Sequence, residues 1–277
     1  MYPIKNKLIL ITGASSGIGR ATAIAFSSEK MKIALIGKNK KRLEAISKSI
    51  NDQSQSVAKI FTFDMRKTDK IPALVKEIEL IFGETVDILI NAAGITTLGY
   101  VEDIPMEEYY NIFNVNFFAP LALIQAVIPA MKEKKSGQII NITSGAGVRG
   151  LPGISSYCAT KFALNGLTES LRVELNPFGI KVLLFSPGPT KTRLMKNQKV
   201  FGDLKEDLIP VKMNNPQYIA KRILKASKSN SCHVEVSYRS KIARHLNYWV
   251  PFLFDKVLEK RMLKRHMKFF RKRSGPF

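Results

Sequence analysis

Histidine and cysteine are scarce in this chain, with three histidines and two cysteines among 277 residues. Cys158 and Cys232 alone can build neither a disulfide framework nor a four-cysteine zinc site. His233, His245 and His266 fall at no spacing that pairs them on a helix, which argues against a catalytic metal centre. Carboxylates are few as well. Against 44 Lys and Arg stand 22 Asp and Glu, a formal net charge of +22. Residues 239–277 hold 12 basic and 2 acidic side chains, so +10 of that charge is concentrated there. Such a surface attracts anionic lipid or phosphorylated ligands. No nucleic-acid recognition motif accompanies it, so nucleic acid is not an expected partner. Long apolar runs are missing too. Leu8-Ile9-Leu10-Ile11 is too short for the core of a signal peptide, and a reducing, cytoplasmic setting is the expectation. The stretch from Tyr109 to Met131 is uncharged and long enough to span a bilayer. Its Asn111, Asn114, Asn116, Gln125, Pro120 and Pro129 make it read as a buried helix instead.

What remains is ordinary globular composition, 45% hydrophobic and 24% charged, at a length that suits one large domain. Strand-like and helix-like segments alternate. Strands are expected at 8–12, 32–37, 57–63, 86–90, 137–143, 180–186 and 232–237. Helices are expected at 18–29, 39–50, 68–82, 105–134, 155–176 and 215–228. Continuous apolar strands separated by helices imply a parallel sheet covered on both faces. The fold class is therefore α/β, a doubly wound sheet of about seven strands with its ligand site beyond the carboxyl ends of the strands. Residues 1–238 form that domain, and 239–277 read as a basic, amphipathic helical extension.

The first strand runs into Thr12-Gly13-Ala14-Ser15-Ser16-Gly17-Ile18-Gly19. Gly13 allows a tight turn, Gly17 lets backbone N–H groups approach a pyrophosphate, and Gly19 permits close packing of the following helix. The positive end of that helix faces the anion. Glycines at this spacing between a strand and a helix point to a dinucleotide.

This turn resembles the glycine motif of the short-chain dehydrogenase/reductase family. Further motifs of that family follow in order: Asn91-Ala92-Ala93-Gly94, Asn116, Ser144, Tyr157-Cys158-Ala159-Thr160-Lys161, and Pro187-Gly188 with Thr192. The resemblance spans residues 6 to about 236 and implies a Rossmann-type domain. Tyr157 and Lys161, four apart, share a helix face. A nearby ammonium is expected to lower the tyrosine pKa and make Tyr157 a proton donor or acceptor. The resemblance implies that Ser144 orients the substrate oxygen, that Lys161 also binds the nicotinamide ribose, and that Asn116 holds a water in a proton relay. It likewise implies cofactor contacts from Gly13, Ser15, Ser16, Gly17, Ile18, Gly19, Lys38, Asp64, Asn91, Ala92, Gly94, Tyr157, Lys161, Pro187, Gly188, Thr190 and Thr192, with no metal. The chain departs from the family at Ala92, where Asn is frequent, and at Ala119-Pro120, where glycine is frequent. Both departures bear on local geometry rather than on a reacting group.

Relatives that prefer NAD carry an Asp after the second strand. Here the sequence is Gly37-Lys38-Asn39-Lys40-Lys41-Arg42, a cluster of cations suited to the 2′-phosphate of NADP(H), with Lys38 as its main contact. By resemblance Asp64 bonds the adenine amine; a purely local capping role is also open. NADPH preference suggests reduction as the working direction. Residues 189–213 correspond to the family's mobile lid and are rich in Leu194, Met195, Val200, Phe201, Leu204, Leu208, Ile209, Val211 and Met213. That suits a lipid- or steroid-like carbonyl. In the extension, Ile242, Leu246, Trp249, Leu253 and Val257 recur on one helix face, and Pro251 should start a new helix or kink this one. Two readings of this segment stand: a helix lying on an anionic membrane face, or one packed on the sheet or a partner subunit. The expected activity is NADPH-dependent reduction of a hydrophobic ketone or aldehyde by a homodimer or homotetramer assembled through helices 105–134 and 155–176. The rival is a catalytically silent NADP(H)-binding protein docked by its basic tail. The presence of Tyr157, Lys161, Ser144 and Asn116 together argues against it.

Overall fold

The computed structural model describes residues 4–202, 204, 213–238, 241–242 and 249–260. Two compact units divide at residues 237 and 238. In the first, β1 (Leu8–Thr12), β2 (Lys32–Gly37), β3 (Val57–Thr62), β4 (Ile88–Asn91), β6 (Gly137–Ile142), β7 (Ile180–Ser186) and β9 (His233–Glu235) form one sheet in the order β3-β2-β1-β4-β6-β7-β9. Every pairing in it is parallel. Helices α1 (Gly17–Phe26), α2 (Lys40–Gln53), α3 (Ile71–Phe82), α4 (Met106–Phe113), α5 (Ala119–Glu133), α6 (Ser155–Leu175) and α8 (Pro216–Lys228) accompany it, with the four-residue α7 (Arg193–Lys196) after β7. The chain goes outward from β1 to β2 and β3, then returns to β4 on the other side. That reversal opens a crevice at the carboxyl ends of β1 and β4, where ligands bind in open α/β sheets.

Alternation within the apolar strands creates two cores. Leu8 and Leu10 join Ile78, Leu123, Ile124 and Val127 of α3 and α5 on one face. Ile9 and Ile11 join Phe26, Leu43, Ile219 and Ile223 of α1, α2 and α8 on the other. Each fully buried aliphatic side chain contributes about 1.5–3 kcal/mol relative to exposure.

Two features lay beyond the sequence reading. The expected helix at 105–134 is interrupted by a π-helical turn, Asn114–Phe118, between α4 and α5. Met106–Glu133 is long and apolar enough to cross a membrane, yet Val115, Ala119, Leu123, Ile124, Val127 and Met131 lie in the core, as the buried-helix reading requires. A second, two-stranded parallel sheet pairs β5 (Thr97–Leu98) with β8 (Lys199–Val200) and ties the middle of the lid to the loop after β4. Such two-residue strands carry no periodicity by which a sequence could announce them. In the second unit, residues 251–260 are helical, starting at Pro251.

Candidate active site

The glycine turn is shaped by contacts that leave no room for side chains. Gly13 has φ +66°, and a Cβ there would lie 2.9 Å from the Ala93 Cα. The Thr12 hydroxyl accepts from Ala92 N and Ala93 N, both at 3.0 Å, and so fastens this turn to the loop after β4. At Gly19 a Cβ would fall 2.5 Å from the Gly13 carbonyl oxygen, so α1 is seated directly on the turn. Gly17, with φ +56°, faces Thr192. Ser15 packs beside Gly37 at the end of β2. No acidic residue occupies the first turn of α1, which leaves its positive end to an anion. Ile18 is half-buried in the same turn.

Beyond β4, Asn91 donates to the Asn141 side chain at 2.9 Å, and Asn141 donates to Thr168 of α6 at 2.9 Å. Gly94 approaches Asn116. Asn116 is fully buried in the π turn; its Oδ1 accepts from Ile95 N and its Nδ2 donates to Ile95 O, both at 2.9 Å, and to Thr160 Oγ1 at 3.1 Å. This side chain joins the β4 loop to α6. Pro120, four residues on, has no N–H to give the Asn116 carbonyl. The sequence departure at Ala119-Pro120 therefore marks a local opening of helix geometry, of a kind that recurs at functional sites.

Ser144 follows β6 and caps a short turn, accepting from Ala146 N at 3.2 Å. Its hydroxyl lies beside the Tyr157 phenol and acts to lower that group's pKa. Lys161 is buried, and its Nζ donates to the Ile142 carbonyl at 3.0 Å, 5.6 Å from the Tyr157 ring centroid. Burial pushes the Tyr157 hydroxyl up to about 12, with Ser144 drawing it partly back. The same loss of water lowers Lys161 to about 8. The ammonium that the sequence expects to acidify Tyr157 is thus set against burial, the largest influence on the phenol and one that acts in the opposite direction. Cys158 beside it is buried, and its thiol is raised by burial.

Lys38 does not stand alone after β2. Its Nζ lies 3.3 Å from Asp64 Oδ2, and Arg66 grips the same carboxylate through Nε at 3.1 and 3.0 Å and through Nη2. Asp64 Oδ1 also accepts from Arg66 N at 3.1 Å, the local capping role. Arg66, above all, holds the Asp64 carboxyl far below the usual carboxylate range. Sequence reasoning missed Arg66; the signal was a cation shortly after the expected β3, two residues beyond Asp64. It also missed Asn214, which braces the Pro187–Thr192 segment. Asn214 Nδ2 donates to Pro187 O at 3.1 Å, and Lys191 N donates to Asn214 O at 3.0 Å. Gly188 has φ +67°, Thr190 donates to its carbonyl, and Thr192 caps α7. Of the expected lid residues, Leu204 is buried over Gly153 and Leu98, while Leu194 and Phe201 are half-buried. Met195, Val200 and Met213 are exposed. Leu208, Ile209 and Val211, like Leu246 in the extension, lie outside the described residues.

A doubly wound sheet with a glycine turn at its switch point, and a Ser–Tyr–Lys cluster beside it, defines a nucleotide-dependent oxidoreductase class. Comparison with known proteins agrees. The short chain dehydrogenase family model matches residues 7–200, and the chain belongs to the short-chain dehydrogenase/reductase family of oxidoreductases. It is 36% identical over 197 residues to mouse dehydrogenase/reductase SDR family member 7B, a match covering 70% of this chain and 61% of that protein's length. It is 36% identical over 227 residues to an uncharacterised oxidoreductase of Staphylococcus saprophyticus, covering 80% and 90% of the two chains. A short-chain dehydrogenase from Streptomyces avermitilis superposes with a TM-score of 0.79 at 27% identity, over 97% of this chain and 99% of the other. A short-chain dehydrogenase from Sphingobium yanoikuyae, solved in complex with NADPH, gives 0.76 at 26%, over 90% and 95%.

Proposed function

We propose that this chain reduces a hydrophobic ketone or aldehyde with NADPH. The observation that carries the reading is the convergence of Ser144, Tyr157 and Lys161 at the end of β6. Gly13 and Gly17, whose positions admit no side chain without strain, and the carboxylate-free start of α1 fit a dinucleotide pyrophosphate. Gly13, Ser15, Ser16, Gly17, Ile18 and Gly19 would hold it, with Asn91, Ala92, Gly94, Pro187, Gly188, Thr190 and Thr192 enclosing the nicotinamide half. NADPH, when bound, supplies the hydride.

The remaining chemistry falls to side chains. The Tyr157 hydroxyl gives a proton to the carbonyl oxygen, and a pKa near 12 keeps it in the donor state. Ser144 donates a hydrogen bond to the same oxygen and holds it against Tyr157. Lys161 orients the ribose and returns a proton to Tyr157. The Asn116 carbonyl, with no donor at Pro120, holds the water that replenishes Lys161. Support for NADPH over NADH comes from the cations Lys38 and Arg66 after β2 and β3 and from the NADPH bound by the Sphingobium relative. Support for a greasy substrate comes from Leu98, Phe201 and Leu204, which gather around Gly99 and Gly153 where β5 and β8 pair.

Two assembly proposals accompany this reading. Met106, Tyr110, Phe162 and Val173 are exposed on α4 and α6, which suits a face shared between subunits. In the second unit, Trp249, Phe252, Leu253 and Val257 are exposed, and the extension carries its +10 charge, which suits an anionic membrane face of the cytoplasm.

The deciding experiment is NADPH oxidation by the purified full chain against carbonyls, from short ketones through 3-oxoacyl chains to steroids and long aldehydes, with and without anionic vesicles. Turnover rising with chain length is expected. Tight NADPH binding with no turnover on any member would favour the silent binding protein.

A further inference from the structure

We propose that Asn165 is a positioning residue for the reaction, locking the turn that carries Ser144 onto the helix that carries Tyr157 and Lys161. Tyr157, Lys161 and Asn165 follow one another at four-residue steps along α6 and so share one stripe of it. Each holds the chain that leaves β6 at a different point. Tyr157 meets the Ser144 hydroxyl. Lys161 donates to Ile142 O at 3.0 Å. Asn165 Nδ2 donates to Gly147 O at 2.8 Å. The turn between these points is small. Ser144 Oγ accepts from Ala146 N, and Ser144 O accepts from Gly147 N at 2.9 Å. A shift of Gly147 is therefore passed directly to Ser144.

A Cβ on Gly147 would lie 2.8 Å from both Lys161 O and Asn165 Nδ2 and 3.0 Å from Lys161 C. The turn is pressed against the α6 backbone at the catalytic lysine itself, with no slack for a methyl group. Asn165 is buried, and its Oδ1 has no partner among the described residues. With that oxygen unsatisfied, the hydrogen bond its side chain makes is the donation from Nδ2 to Gly147 O. A misplacement of about 1 Å in a catalytic group can cost on the order of a hundredfold in rate. The groups around the Tyr157 phenol that such a shift would disturb are Ser144, Cys158 and Lys161.

This inference rests on the catalytic reading of Ser144 and Tyr157. It is tested on the full-length chain with Asn165→Leu and Asn165→Asp, both lacking the amide donor, and with Gly147→Ala, which keeps the amide and displaces the turn. Ser144→Ala is measured alongside. Hydrogen–deuterium exchange without ligand reads the turn directly. Exchange across residues 144–148 should accelerate by about tenfold or more while α6 keeps its protection. With the carbonyl that turns over fastest, kcat should fall at least about tenfold, with KM for NADPH within about twofold. Wild-type exchange at 144–148, or a wild-type kcat, in the Asn165 variants would overturn the proposal. So would loss of protection throughout α6 in all three variants, which would mark Asn165 as a general support of the fold. If Ser144→Ala itself keeps full kcat, the reading of the site fails, and this inference falls with it for that separate reason.

Discussion

The Lys161 ammonium donates to the carbonyl of Ile142 across the end of the sheet, at 3.0 Å. This bond draws a charged side chain into a place where it keeps 4% of its exposure and lies 5.6 Å from the Tyr157 ring. The two groups pay for burial in opposite directions. The lysine is lowered to about 8 and the tyrosine is raised to about 12, so each is driven toward its neutral form. A neutral, protonated tyrosine and a lysine able to give or take a proton near neutrality make a pair poised to deliver a proton to a carbonyl oxygen.

Removing the phenol tests that directly. Tyr157→Phe keeps the ring, so NADPH binding should stay within about tenfold of wild type, while turnover drops by roughly a hundredfold or more. Stopped-flow NADPH oxidation together with fluorescence titration of NADPH separates the two. Equal turnover in the variant would defeat the proposed proton transfer.

Burial of Lys161 also has a signature in stability. Its folded pKa of about 8 lies below the ordinary 10.5, so between these values the unfolded chain holds a proton that the folded chain has released. Folding stability contributed by this group therefore rises with pH from about 8 to about 10.5. Tyr157 acts oppositely: its folded value lies above the ordinary 10.0, and its contribution falls with pH between about 10 and 12. Comparing the wild type with Lys161→Met by urea unfolding isolates the lysine. The difference in unfolding free energy should move in favour of the wild type by about 1–3 kcal/mol between pH 8 and pH 10. A difference independent of pH would mean that Lys161 is not desolvated.

Much of this was legible in the sequence because it is local. The glycine turn and the Tyr157–Lys161 pair are short-range patterns, readable once a strand and a helix are placed around them. Continuous apolar strands announced a sheet buried on both faces. What was not legible depends on segments far apart in the chain. The parallel pairing of Gly37 with Thr62 brings the ends of β2 and β3 together, and only then does Lys38 meet Asp64 and Arg66. Asn214 braces Pro187 across 27 residues, and the β5–β8 strands meet only because the lid folds back. The burial of Tyr157 and Lys161 was not legible for a related reason. Spacing shows that a lysine is near, but not that both groups have lost their water.

The shared carboxylate after β3 bears on cofactor choice. Lys38→Asp would place a second carboxylate beside Asp64 and remove a cation from the end of β2. A charge-assisted hydrogen bond to phosphate is worth about 1.5–3 kcal/mol, so the NADPH-to-NADH ratio of kcat/KM should fall by about 10–100-fold. An unchanged ratio would assign the phosphate to another cation, and Arg66→Gln is then the variant to measure.

The C-terminal helix is tested on the whole chain through its two faces of chemistry. Trp249 and Phe252 retain 75% and 60% of their exposure, and Lys256 and Lys260 are exposed on the same helix. Lysines near an anionic bilayer contribute about 1 kcal/mol each, an attraction that salt weakens, whereas aromatic insertion depends little on salt. Lys256→Glu with Lys260→Glu should therefore reduce cosedimentation with phosphatidylserine vesicles by at least about tenfold at low salt and make the binding less dependent on salt. Trp249→Ala should weaken binding at every salt concentration and leave the salt slope in place. Because both sets of substitutions belong to the second unit, NADPH binding serves as the control for folding of the first. Vesicle binding indifferent to salt and to both sets would exclude the membrane-surface reading and leave the alternative, a helix that packs on the sheet or on a partner subunit.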